Sequence, residues 1–70
     1  MIYYVAQVRM KRNMTIRELS DRSGVAKSHI QKIEAGTANP SLEVMCRLAE
    51  ILECEVTELF HYEPSYKQDS

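Results

Sequence analysis

Along most of the chain apolar residues recur three and four positions apart, the spacing of one face of an α-helix. Ile2, Val5 and Val8 share a face of a first helix that ends on Arg9, Lys11 and Arg12. Basic residues in a last turn suit the helix dipole. Asn13 follows, a residue type that tolerates the left-handed conformation in which helices stop. Thr15-Ile16-Arg17-Glu18 is a capping box, in which hydroxyl and carboxylate each accept from the other residue's amide. It predicts a second helix from Thr15 to about Ser23, with Ile16, Leu19 and Ser20 inward. Gly24 breaks the chain. A third helix runs from about Ala26 to Ala35, turns Ile30 and Ile33 inward and ends at Gly36. Thr37-Ala38-Asn39-Pro40 reads as a turn, and Ser41 caps a fourth helix whose inner face is Leu42, Met45, Leu48, Ala49 and Leu52. After Glu53-Cys54-Glu55, a brief fifth helix from Val56 to about Phe60 or His61 presents Val56, Leu59 and Phe60.

No long stretch alternates as a strand would. One short antiparallel pairing, Met1–Tyr3 with His61–Glu63, is a candidate element near the two ends. The pattern predicts one domain over residues 1–64 and a polar, disordered tail over 65–70.

The twenty residues from Ile16 to Ala35 have the residue logic of a helix-turn-helix. Gly24, at the ninth position, lets the chain turn sharply without a Cβ penalty. Ser20, at the fifth, is small enough for two helices to approach. Leu19, Val25, Ile30 and Ile33 supply the shared interior. The stretch resembles the phage-repressor and Cro-like (Xre) family of helix-turn-helix proteins, and the likeness extends from about Val5 to Phe60. Its carrying residues are Arg9, Met14 to Ser20, Gly24 to Ile30, Ile33-Glu34-Ala35-Gly36, Asn39-Pro40-Ser41-Leu42 and Leu48 to Leu52.

The resemblance implies an all-α fold, a five-helix bundle around a central helix-turn-helix, like the DNA-binding domain of lambda repressor. It implies that the third helix enters the DNA major groove, with Lys27, Ser28, His29 and Lys32 at base edges. Lys donates to guanine O6 or N7, and Ser donates or accepts. Gln31 pairs with adenine if it faces the groove and meets the backbone if it lies on the flank. Thr15 and Arg17 open the second helix, which crosses the phosphates, and Thr37 and Asn39 form a second backbone clamp. Arg9 and Glu34 fall where a structural salt bridge joins the first helix to the end of the third. Three positions depart from the family pattern. Ile16 stands where a phosphate-binding Gln is frequent, Ala26 where Ser or Thr caps the third helix, and Glu53 where Gly or Asn closes the fourth.

Charge sharpens the picture. Residues 9–32 hold seven basic and two acidic side chains, net +5, whereas residues 33–70 hold two basic and eight acidic ones, net −6. A basic half can face a polyanion even when the whole chain, at −1, is near neutral. The plainer reading, two solvated sets of helix faces, fits the counts equally. Seventy residues leave little room for an enzyme's buried pocket. Ser28 and His29, adjacent on a helix, point about 100° apart and have no placed acid.

No apolar run approaches the ~20 residues of a membrane span, and no basic start leads into a secretory h-region. Cys46 and Cys54 are too few for a disulfide framework, so the expected setting is the reducing cytoplasm. With His29 and His61 they lack the paired spacing of a structural zinc site, and no cofactor is expected. A core this small often gains stability from a second copy, and Val56, Leu59, Phe60, Tyr62 and the Tyr3-Tyr4 pair are candidates for that surface or for the end of the monomer core. The sequence therefore supports a homodimeric regulator, most simply a repressor, on a near-palindromic operator in double-stranded DNA. The alternative is a protein-interaction module, such as an antitoxin or a partner subunit of a larger regulator.

Overall fold

The computed structural model describes residues 1–67. The order is β1 (Ile2–Tyr3), α1 (Val5–Lys11), α2 (Ile16–Ser23), α3 (Lys27–Ala35), α4 (Leu42–Leu52) and β2 (Phe60–His61). Single 3-10 turns form at Val56–Glu58 and Ser65–Lys67. The bundle thus has four α-helices among the described residues, not five. The tail expected over 65–70 begins with the second 3-10 turn, and its residues 68–70 lie outside the described ones.

The core is one contiguous cluster. Val5, Leu19, Ile30, Ile33, Leu48, Leu52 and Leu59 are fully buried, and Met14, Val25, Met45 and Ala49 nearly so. Every helix contributes, and α4, with four buried residues, is the central strut. Its N-cap is Ser41, whose Oγ accepts from the Val44 amide at 3.1 Å.

The expected helical reading fails at Leu42, placed on the inner face of the fourth helix but 69% exposed in its first turn, and at its two ends. The first helix begins at Val5, and Ile2, expected on its inner face, is an exposed strand residue. β1 pairs antiparallel with β2, Ile2 opposite His61 and Tyr3 opposite Phe60, and the Tyr4 amide donates to the Leu59 carbonyl at 2.8 Å. That register sits one residue toward the core from a pairing with His61–Glu63. The same bonds explain the missing fifth helix. Leu59 and Phe60 are drawn into the ribbon, so only one turn remains between Glu55 and Leu59. Glu58 caps that turn by accepting from the Glu55 amide at 2.7 Å.

Four residues have left-handed backbone: Gly24, Gly36, Asn13 and Glu53. Glu53, at φ 54°, closes α4 in a conformation unfavourable for a residue with a Cβ. The Arg12 guanidinium donates to its carbonyl at 3.0 Å, a bond that any residue at this position keeps. The Glu53 carboxylate is 3.9 Å from Arg12 with both side chains exposed, a pairing that contributes little. Glu53→Gly is therefore expected to stabilise the domain by about 0.5–1 kcal/mol, after allowing for glycine's freer unfolded chain. A thermal melt checks this, and an unchanged or lower midpoint would count against the strain.

Candidate nucleic-acid interface

The turn between α2 and α3 is held by local bonds. Gly24, at φ 75°, closes α2, and its amide donates to the Ser20 carbonyl at 3.0 Å. The Ser20 hydroxyl donates to the Val25 carbonyl at 2.7 Å, and the Ser23 hydroxyl accepts from the Val25 amide at 3.2 Å. Ser20 thus does more than leave space: it fastens α2 to the start of the next element. Arg47, which sequence reasoning missed, reaches back from α4, its Nη1 3.8 Å from where a Cβ on Gly24 would lie. It also bonds Glu43 at 3.0 Å, one helical turn away.

α3 separates two sets of side chains. Ile30 and Ile33 are fully buried against the core. Ser28, Gln31, Lys32 and Ala35 are exposed and stand at i, i+3, i+4 and i+7, one stripe on the outward side. Lys27 is exposed beside that stripe, one turn before Gln31. His29 is half-buried, on the flank. The structure therefore brings Gln31 in among Ser28 and Lys32 and moves His29 toward the side. The i, i+3, i+4, i+7 count from Ser28 is a signal already present in the sequence. Ala26, the N-cap, makes no side-chain bond, so the amides of Lys27 and Ser28 receive no side-chain cap, while that of His29 donates to the Ala26 carbonyl at 3.0 Å.

The opening of α2 is arranged differently. Thr15 Oγ1 accepts from the Glu18 amide at 3.0 Å, and its own hydroxyl and amide both donate to Glu18 Oε1 at 3.2 Å. Thr15 is thereby committed to its capping box. The donors left at this end are the first amides, those of Ile16 and Arg17, and the exposed Arg17 side chain. After Gly36, the Thr37 amide and hydroxyl both donate to the Lys32 carbonyl, at 2.9 and 3.3 Å. Asn39 is exposed two residues further on.

Arg9 and Glu34 meet in a two-pronged ion pair, Nε to Oε2 at 2.8 Å and Nη2 to Oε1 at 3.1 Å. Their side chains are only 12% and 11% exposed, and Arg9 Nη1 also donates to the Met14 carbonyl at 3.0 Å. The hydrogen bond to Glu34 holds the Arg9 pKa above its ordinary value, against the opposing effect of burial. Arg9 is consequently withdrawn from the surface: it ties α1 to the end of α3. Cys46 is exposed, and Cys54 is half-buried against the core. Burial, with help from Glu58, pushes the Cys54 thiol up, away from reactive thiolate character. Among the described residues no cluster of three His, Cys, Asp or Glu is placed to hold a metal ion, and no helix is long and apolar enough to cross a membrane.

A sequence model described as helix-turn-helix matches residues 5–59, from the first residue of α1 to the buried Leu59. The chain belongs to the helix-turn-helix family, in its phage-repressor (Xre) branch. Domains of this helix-turn-helix type are DNA-binding modules of transcription regulators, and they are not enzymes. Among curated relatives, the HTH-type transcriptional regulator SlrR of Bacillus subtilis is 41% identical over 56 residues, 79% of this chain and 37% of that protein. An uncharacterized HTH-type transcriptional regulator of Archaeoglobus fulgidus is 32% identical, covering 84% of this chain and 83% of that protein. The chain thus spans little more than a third of SlrR. Among solved structures, the restriction-modification controller protein C.AhdI from Aeromonas hydrophila superposes with a TM-score of 0.76 at 30% identity, covering 80% of this chain and 85% of that one. The SinR protein/SinI protein complex matches with a TM-score of 0.80 at 25% identity, over 97% of this chain and 73% of that one.

Proposed function

We propose that this helix-turn-helix domain is a sequence-specific, DNA-binding transcriptional regulator. It acts as a homodimer on a near-palindromic operator, with α3 in the major groove. The observation that carries this reading is the division of α3: Ile30 and Ile33 anchor it, while Ser28, Gln31, Lys32 and Lys27 stand outward with no structural duty. Lys27 and Lys32 donate to guanine edges or phosphate, Ser28 to either, and Gln31 has the amide that pairs with adenine N6 and N7. His29, on the flank, contacts the groove wall. The positive end of α2 with Arg17, and Asn39 in the loop after Gly36, bind phosphates on either side, while Thr37, with amide and hydroxyl both on the Lys32 carbonyl, holds that loop in place. Thr15 serves this by fixing the amides of α2. The simplest output of operator occupancy is repression by blocking polymerase in the cytoplasm.

A second reading has one observation in its favour. The SinR/SinI neighbour is a complex with another protein, and four glutamates of this chain, Glu43, Glu50, Glu55 and Glu58, are all exposed and offer acidic contacts to a protein partner. Under that reading the domain is an antitoxin or a partner subunit of a larger regulator.

Selection of bound duplexes from a random pool separates the two. The expected winner is a near-palindrome whose half-sites lie about 34 Å apart, one helical turn. Lys27→Ala combined with Lys32→Ala should weaken binding to that winner by at least about tenfold and flatten its salt dependence, with an unchanged melting temperature. If nothing enriches at low salt, or the double variant binds as well as the parent, α3 is not reading DNA.

A further inference from the structure

The buried face of α3 fixes its rotation, but the attachments of its two ends fix its direction. At the far end Glu34 is tied to Arg9 by the two-pronged pair at 2.8 and 3.1 Å. At the near end Ala26 offers no side-chain cap, and the α3 ladder starts from its carbonyl, which accepts from the His29 and Ile30 amides at 3.0 Å each. Val25 lies one residue outside that ladder and is buried, so its amide and carbonyl need partners from elsewhere. Both partners come from α2. The Ser20 hydroxyl donates to the Val25 carbonyl at 2.7 Å, and the Ser23 hydroxyl accepts from the Val25 amide at 3.2 Å.

We infer that Ser20 and Ser23 are positioning residues for sequence recognition: together they aim α3. With the Val25 side chain in the core and its amide and carbonyl each held by a serine, the entry to α3 is pinned at three points. An alanine at position 20 would let the two helices approach as closely, so the hydroxyl serves the bond to Val25 alone. The leverage is large. Lys32 lies six residues beyond Ala26, about 9 Å along the helix axis, so a tilt of roughly 10° at the turn displaces it by about 1.5 Å. Hydrogen bonds to base edges work only over a few tenths of an ångström, whereas the flexible stems of Lys27 and Lys32 can follow a phosphate through such a shift. Loss of the clamp therefore falls on discrimination between sequences more than on affinity for DNA in general.

This inference rests on the DNA-reading proposal for its consequence, but the aim of α3 is measured without DNA. Residual dipolar couplings of the backbone amides, recorded on the full chain and on Ser20→Ala, report the direction of α3 relative to α2 and α4. The parent's couplings should fit one rigid arrangement, and in Ser20→Ala those of α3 should shrink or fit a different direction. Binding to the palindrome selected from the random pool, and to an unrelated duplex at the same salt, reads the consequence. Ser20→Ala should bind the palindrome at least about tenfold more weakly and the unrelated duplex within about twofold of the parent, since no charge is lost. Ser23→Ala, which removes the longer bond, should move the same way by less. Ile51→Ala is the control: it trims a half-buried side chain of α4 that packs on the core and takes no part in the bonds of the turn. It should lower the melting temperature and leave the ratio of the two affinities unchanged. Unaltered α3 couplings in Ser20→Ala overturn the inference, and so does a loss of discrimination no greater than that of Ile51→Ala. Should Ser20→Ala fail to fold, Ser23→Ala carries the same comparison. A parent that binds both duplexes alike refutes the DNA reading instead, and the couplings still decide whether the two serines aim α3.

Discussion

Glu34→Ala is expected to remove a large share of the domain's stability. Removing the carboxylate strands the Arg9 guanidinium in a site where its side chain is 12% exposed, and losing one partner of such a pair costs about 3–5 kcal/mol. A domain of 70 residues has roughly 4–10 kcal/mol in all. Arg9→Ala should cost a similar amount, since it strands Glu34 and also removes the donor to the Met14 carbonyl. Replacing both at once with Met and Leu of similar bulk should recover most of the loss, because no charge is left unpaired. Urea titrations of the parent, both single variants and the double variant measure this as a cycle. Single variants within about 1 kcal/mol of the parent would show that the pair is solvated and interchangeable with the surface pair Arg47–Glu43.

Neighbouring residues on α3 should respond in opposite ways. Ile30→Ala deletes a fully buried side chain from between α3 and the rest of the core, a change that costs about 2–5 kcal/mol. It should lower the melting temperature steeply while leaving the sequence preference of whatever folded protein remains. Gln31→Ala, one residue on, removes an exposed amide and should change stability by less than about 0.5 kcal/mol. Its effect should fall on recognition, as relaxed preference at one base pair of the half-site. Parallel melts and duplex selections on the two variants make the comparison. A Gln31→Ala protein with the parent's preference would place Gln31 outside the reading set.

How much of this could be read beforehand depends on how local each cause is. The capping box at Thr15, the left-handed stops at Asn13, Gly24 and Gly36, and the inward stripe of α4 from Met45 to Leu52 depend on neighbours within a few residues, and each is legible in the sequence, although the stripe does not extend back to Leu42. The central helix-turn-helix follows from them. Pairing of Arg9 with Glu34 is not local: the residues are 25 positions apart, and only the family resemblance brings them together. The ribbon is the opposite case. Ile2, Val5 and Val8 have helical spacing, but two backbone pairs with residues nearly sixty positions away decide the conformation of Ile2. Those pairs also shorten the expected fifth helix to one turn, and no window of sequence around Val56 contains that information.

Within the candidate interface, side-chain type was legible and side-chain commitment was not. Thr15 looks like a phosphate donor until its hydroxyl and amide are both found on Glu18. Gln31 looks like a flank residue until the buried pair Ile30 and Ile33 fixes the rotation of α3. Arg47 gives no sign in the sequence that it reaches the Gly24 turn.

The ribbon also decides how the domain answers to a pulling force. β1 comes from one end of the chain and β2 from near the other, and Ile2 and His61 form the outermost pair. A load applied at residues 1 and 62 is directed across the strands, so it opens the pairs one after another like a zip instead of shearing them all together. The ribbon therefore yields first and at low tension. The load then passes along α1 to Arg9, and the ion pair to Glu34 becomes the catch that must break before α3 itself comes under strain.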